Sequence, residues 1–145
     1  MRSIVVRALA GLWASPGTVA GLILLAAARA TGGAARPRDG ALEACGGALP
    51  AILTGLGGGR LSIEAIALGH VILARSAESL DRFREHERVH VRQWERWGPV
   101  FPIAYVASSS WAWLRGRDAY WANVFELEAW KEAPSRTTPA PRVTS

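Results

Sequence analysis

The sequence predicts an α+β fold, rich in helix, in which short strands are followed by a long amphipathic helix and two further helices. Three observations carry that prediction. Residues 41–75 are short apolar runs cut by Gly47, Pro50 and Gly57-Gly58-Gly59, the punctuation of strands and turns. Residues 76–97 form a charged stretch of helical period that stops at Gly98-Pro99. Ahead of both lies an uncharged apolar segment, which predicts a helical N-terminal unit over 1–30, joined by a linker over 31–40 to a domain over 41–133.

In the N-terminal unit, Ala8 to Ala28 is twenty-one residues without a charge, preceded by Arg2 and Arg7 and followed by Arg29, Arg36 and Arg38. Such a length just crosses a bilayer, but Pro16 inside it predicts a break or kink. A kinked membrane helix or re-entrant hairpin, a signal peptide cleaved at Ala26-Ala27-Ala28, and a buried or interfacial helical pair all fit. Residues 31–40, "TGGAARPRDG", read as the linker. Strands are expected at 41–45, 49–54 and 62–74, the last rich in Ile, Val and Leu. Ser76 is a good N-cap and Glu78 suits the positive end of the helix dipole, so a helix runs to Trp97. Phe101–Leu114 is a second helix, too short to span a bilayer alone, which implies burial or interfacial seating. Asp118 is expected to cap a third helix over 119–132. The tail, 134–145, lacks apolar residues and is expected to be disordered.

The chain has 145 residues and a net charge of +5, carried by sixteen arginines and one lysine. No basic run is interleaved with stackable aromatics, so no nucleic-acid partner is expected. A basic chain with a long apolar segment fits an anionic membrane surface. The six tryptophans between 94 and 130 suit a core or a membrane interface. Cys45 is the sole cysteine, so a disulfide within the chain and a cysteine-rich metal site are both excluded. Any metal must be held by histidine and carboxylate.

Those residue types occur together in "REHERVHVRQWERW", where His86-Glu87-Arg88-Val89-His90 reads H-E-x-x-H. Residues four apart share a helix face, so His86 and His90 can converge on one tetrahedral zinc. Glu87 lies roughly 100° round the helix, where a carboxylate reaches a metal-bound water without ligating the metal. Arg84, Arg88, Arg92 and Arg96 recur every fourth residue and are expected as a solvated or headgroup-facing stripe. An amphipathic helix with two satisfied histidines is the bland alternative.

A catalytic zinc needs a third protein ligand. Gln93 and Arg96 stand where the extended H-E-x-x-H-x-x-G-x-x-H motif has glycine and histidine, and no methionine follows Met1, so that subclass is excluded. A carboxylate of "NVFELEAW" remains. Glu126 shares a face with Ala122 and Ala129, which lets the helix approach closely. Glu128 is the alternative, on a bulkier and more exposed face. Asn123 lies on the Glu126 side and could orient a ligand.

"HERVH" followed by "NVFELEA" resembles the gluzincin metallopeptidases, in which a glutamate on a later helix completes the site. The step from Glu126 to Ala129 resembles the third-ligand segment of membrane-associated gluzincins of the prenyl-protein-peptidase type, although Trp130 stands where that family usually has Asp. More of the chain, from "LGHVIL" to "FELEAW", resembles small bacterial membrane-associated zincin-like proteins. The resemblance implies a minimal zincin-like domain with a zinc site at His86, His90 and Glu126, and a strand whose edge pairs with extended substrate. His70, Tyr105 and Tyr120 are candidates for stabilising an oxyanion or holding substrate; a strand histidine bonded to backbone is the simpler reading of His70. The expected protein is a zinc metallopeptidase acting on peptide or protein, at the bacterial inner membrane or exported by its N-terminal signal. The alternative is a non-catalytic membrane or binding protein in which zinc, if bound, is structural.

Overall fold

The computed structural model describes residues 4–133. The tail at 134–145, expected to be disordered, lies outside the described residues. The elements are α1 (Ile4–Trp13), α2 (Ser15–Ala30), β1 (Ala34–Arg38), β2 (Ala41–Cys45), α3 (Leu49–Leu56), β3 (Ala65–Leu68), β4 (Val71–Ala74), α4 (Ala77–Trp97), a 3-10 turn (Gly98–Val100), α5 (Phe101–Leu114) and α6 (Val124–Glu132). The fold is α+β and helix-rich, around a mixed sheet of order β1-β2-β4-β3. β2 and β4 are parallel, and the outer strands pair antiparallel to them.

Every side chain of β4 is buried, as a central strand covered on both faces requires. Ile72 and Ala74 pack with Leu80 and Val91 of α4. Val71 and Leu73 point the other way, to Ala28 of α2 and Leu49 of α3. A third cluster, Ala14, Trp94, Phe101 and Phe125, joins the start of α2 to α4, α5 and α6.

Several expectations are corrected. Residues 34–38, read as linker, form edge strand β1 around an Asp39-Gly40 turn with both φ positive (48° and 84°). Pro37 is tolerated because an edge position asks for no outward N–H. Residues 49–54, read as a strand, begin α3: Pro50 fits a helix first turn, and Leu49 and Leu53, four apart, are both fully buried. The strand expected over 62–74 is a hairpin, since Gly69 (φ 59°) turns the chain between β3 and β4. The third helix begins at 124 rather than 119. Asp118 Oδ1 accepts the N–H groups of Tyr120 and Trp121, both at 2.8 Å, and closes a turn. Asn123 is the cap, its Oδ1 accepting the Phe125 N–H at 2.9 Å.

The apolar N-terminus breaks at Ala14, ahead of Pro16, as the proline predicts. α2 lies on the sheet: a side chain at Gly17 would collide with Trp94, and one at Gly21 with Val71. No helix among the described residues is long and apolar enough to cross a membrane.

Helix α4 keeps its expected ends, with Ser76 Oγ accepting the Ser79 N–H at 3.1 Å and Gly98 at φ 55°. Its arginine stripe is not all solvated. Arg84 is buried and its Nε lies 2.8 Å from Glu43 Oε1, in the middle of β2. Arg88 reaches Asp39 at 3.1 Å and Glu43 at 3.7 Å. Only Arg92 and Arg96 stand out in solvent, paired with Glu132 and Glu128. A carboxylate with no exposure must be met by cations, and this pairing fixes which side of α4 turns away from the sheet.

Candidate metal centre

With α4 clamped to the sheet by Arg84, His86 and His90 project from its other side toward α6. His86 Nε2 and His90 Nε2 are 3.1 Å apart. Glu126, in the first turn of α6, places Oε2 3.1 Å from His86 Nε2 and Oε1 3.3 Å from His90 Nε2. All three residues are buried, and their donor atoms form a group that could hold a metal ion. Tetrahedral zinc with bonds of about 2.0–2.1 Å separates its ligand atoms by about 3.3 Å, close to these spacings, so the donor set fits such an ion. Two imidazole Nε2 atoms facing one another also leave a lone pair on at least one of them, which a cation satisfies.

The tautomer of His90 follows from its neighbours. Gln93 donates through Nε2 to Phe125 O at 3.0 Å and to Glu128 Oε2 at 2.7 Å. Its Oε1 therefore faces His90 Nδ1, at 2.7 Å, and accepts the proton there. In the neutral imidazole that leaves the Nε2 lone pair directed at the centre. Glu128, the alternative candidate, is not in the group: its oxygens serve Gln93 and Arg96. Sequence reasoning missed the part played by Gln93, whose only signal was its place two turns after His86 and three residues after His90.

His86 is held differently. Its Nδ1 is buried without a hydrogen-bond partner, and its ring lies 4.2 Å from that of Trp130, tilted by 46°. Ring packing on Trp130, rather than an acceptor at Nδ1, orients the His86 imidazole.

Glu126 is itself supported by Tyr105, whose hydroxyl donates to Oε1 at 2.6 Å. Burial works against the charge on Glu126, but hydrogen bonds from His86 and His90 outweigh it and hold the carboxyl well below the usual range. Burial likewise opposes charging His90, yet the Glu126 hydrogen bond and the charge of Glu87 raise it to about 9. The cluster thus holds a proton that an incoming divalent cation displaces. Burial, reinforced by Glu126, raises the phenols of Tyr105 and Tyr120. Both tyrosines lie beside the Glu126 carboxylate.

Glu87 is buried beside the group and outside it. Burial pushes its carboxyl above the ordinary range, against the pull of His90 and His86. The backbone of Ala67, in edge strand β3, hydrogen-bonds its carboxylate. Trp94 Nε1 donates to Ala67 O at 3.0 Å.

Two expectations are placed elsewhere. His70 stands at the tip of the β3–β4 turn, its Nε2 3.1 Å from Glu95 Oε1 and its N–H donating to Thr18 Oγ1 at 3.1 Å. Glu95 is nine residues after His86, on the opposite side of α4, so His70 is tied to the side of α4 away from the His86–His90–Glu126 group. Asn123 is fully buried but bonds to no ligand; its Nδ2 donates to Tyr105 O at 3.1 Å and Ser109 Oγ at 2.7 Å. It fixes α6 against α5, and so sets the position of Glu126 at one remove.

No family model, curated protein sequence or solved structure matches this chain.

Proposed function

We propose that the protein is a zinc-dependent hydrolase of peptide bonds, a minimal gluzincin-like domain. The observation that supports it is the convergence of His86, His90 and Glu126 with Glu87 buried alongside. When bound, zinc supplies a Lewis-acid centre that makes a water acidic near neutral pH. Glu87 would act as the general base and then the general acid toward the leaving amine, a role suited to a carboxyl that burial has shifted toward neutrality. Gln93 keeps His90 in the ligating tautomer. Tyr105 holds Glu126, and Tyr120, beside the same carboxylate but partly open to solvent, is the phenol placed to meet a carbonyl oxygen.

A second reading, a structural metal in a non-catalytic protein, is favoured by one observation. Glu87 and Trp94 already satisfy both backbone groups of Ala67 on the outer edge of β3, the edge to which the resemblance assigns extended substrate.

Glu87→Gln separates the two. In the hydrolase it keeps zinc and fold and lowers the rate of peptide cleavage by about 10²–10⁴-fold, read by mass spectrometry of a digested peptide library. Cleavage at the wild-type rate by a zinc-loaded Glu87→Gln protein excludes the catalytic role.

A further inference from the structure

We propose that the protein seats on an anionic lipid surface through the outer faces of α1 and α5, lying in the interface without crossing it. The starting observation is an uncharged helix left bare on one side. None of the fourteen residues of α5 is charged. Its inner side is used: Phe101 and Ala112 are buried, and Tyr105 reaches Glu126. On the outer side Ile103, Val106, Trp113 and Leu114 fall on one stripe, at i, i+3, i+10 and i+11. They are 70%, 62%, 70% and 70% exposed. A helix facing water carries polar residues on that side; here only Ser110 is polar.

A second bare face continues it. Leu9 and Leu12 of α1 are exposed, and Trp13 packs on Gly98, at the start of the turn that leads into α5. The two faces meet at that turn, where Val100 is also exposed. With no crossing helix among the described residues, this surface suits burial to the depth of the headgroup and upper acyl region.

The rim selects the occupant. α5 ends in exposed Trp111 and Trp113, followed by exposed Arg115 and Arg117, and the Arg115 guanidinium lies 4.4 Å from the centre of the Trp111 ring. Indoles favour headgroup depth, and arginines there meet lipid phosphate. Against a second copy packed symmetrically about this end of α5, the same cations would face their own images and repel. The net charge of +5 adds to the attraction toward anionic lipid. Membrane seating is independent of metal at His86, His90 and Glu126, so either can fail alone.

The full chain, freed of detergent, is sedimented with vesicles of phosphatidylcholine alone or mixed with phosphatidylglycerol. The mixed vesicles are expected to bind at least about tenfold more strongly, and added salt to weaken them. Trp113→Ser with Leu114→Ser, both on the surface, lowers partition by about tenfold or more. Arg115→Gln with Arg117→Gln removes most of the preference for the anionic lipid. Equal partition of the wild type to both vesicles overturns the proposal. So does unchanged partition of the Trp113→Ser/Leu114→Ser protein, or a dimer in solution that this pair of substitutions splits.

Discussion

His90 sits between two constraints that only neighbouring residues supply: Gln93 fixes the proton on Nδ1, and Glu126 faces Nε2. Replacing either histidine by alanine takes one of three ligands from a closed set. We expect about one zinc per chain in the wild type and none retained after dialysis in His86→Ala or His90→Ala, as read by elemental analysis. Gln93→Leu keeps the bulk and removes the acceptor, so zinc affinity should fall by about 10–100-fold in a chelator competition while the fold survives. Glu126→Gln should weaken zinc more than Glu128→Gln, because Glu128 acts only through the Gln93 amide. The His-Glu-x-x-His spacing and the alanines beside Glu126 made the three residues of the cluster legible. The part played by Gln93 was not, because its other partners, Phe125 O and Glu128, come from a helix more than thirty residues away.

At the scale of elements, α4 depends on the sheet and α6 depends on its cap. Glu43 is completely buried and meets Arg84 at 2.8 Å. Glu43→Ala leaves a buried guanidinium short of its partner and should cost about 3–5 kcal/mol in urea unfolding. Asn123→Ala removes the cap of α6 and leaves the Tyr105 carbonyl and Ser109 hydroxyl without their donor. A loss of about 1–2 kcal/mol, read as a lower melting temperature, is expected from the cap alone. Element boundaries set by local chemistry were readable: Ser76 and Gly98 on α4, and the proline break before α2. Boundaries set by what packs on a segment were not. The run 49–54 has strand composition but buries Leu49 and Leu53 on one helical face. β1 exists because β2 offers it a partner, although its own residues look like a linker.

Across the whole molecule, the metal would tie α4 to α6, and so the sheet layer to the C-terminal helix. Binding energy is then folding energy. Zinc at about a thousand times its dissociation constant should stabilise the chain by about 4 kcal/mol, visible as a melting temperature that rises with zinc and falls with chelator. His90 is raised to about 9, so below that pH an incoming zinc would have to displace a proton. Apparent affinity should therefore fall as pH falls from 9 toward 6, a trend that isothermal titration at several pH values checks. The sequence by itself determined helix α4, its caps, the paired histidines on one face and a short list of acidic partners, because helical spacing and capping are local and period-bound. Tertiary structure decided the rest. It brought Glu126 rather than Glu128 to the histidines, sent His70 to the far side of α4, and buried Arg84 on Glu43. It also laid α2 on the sheet while leaving α5 bare. Each of those outcomes depends on which faces of distant elements meet, and packing sets that in space rather than along the chain.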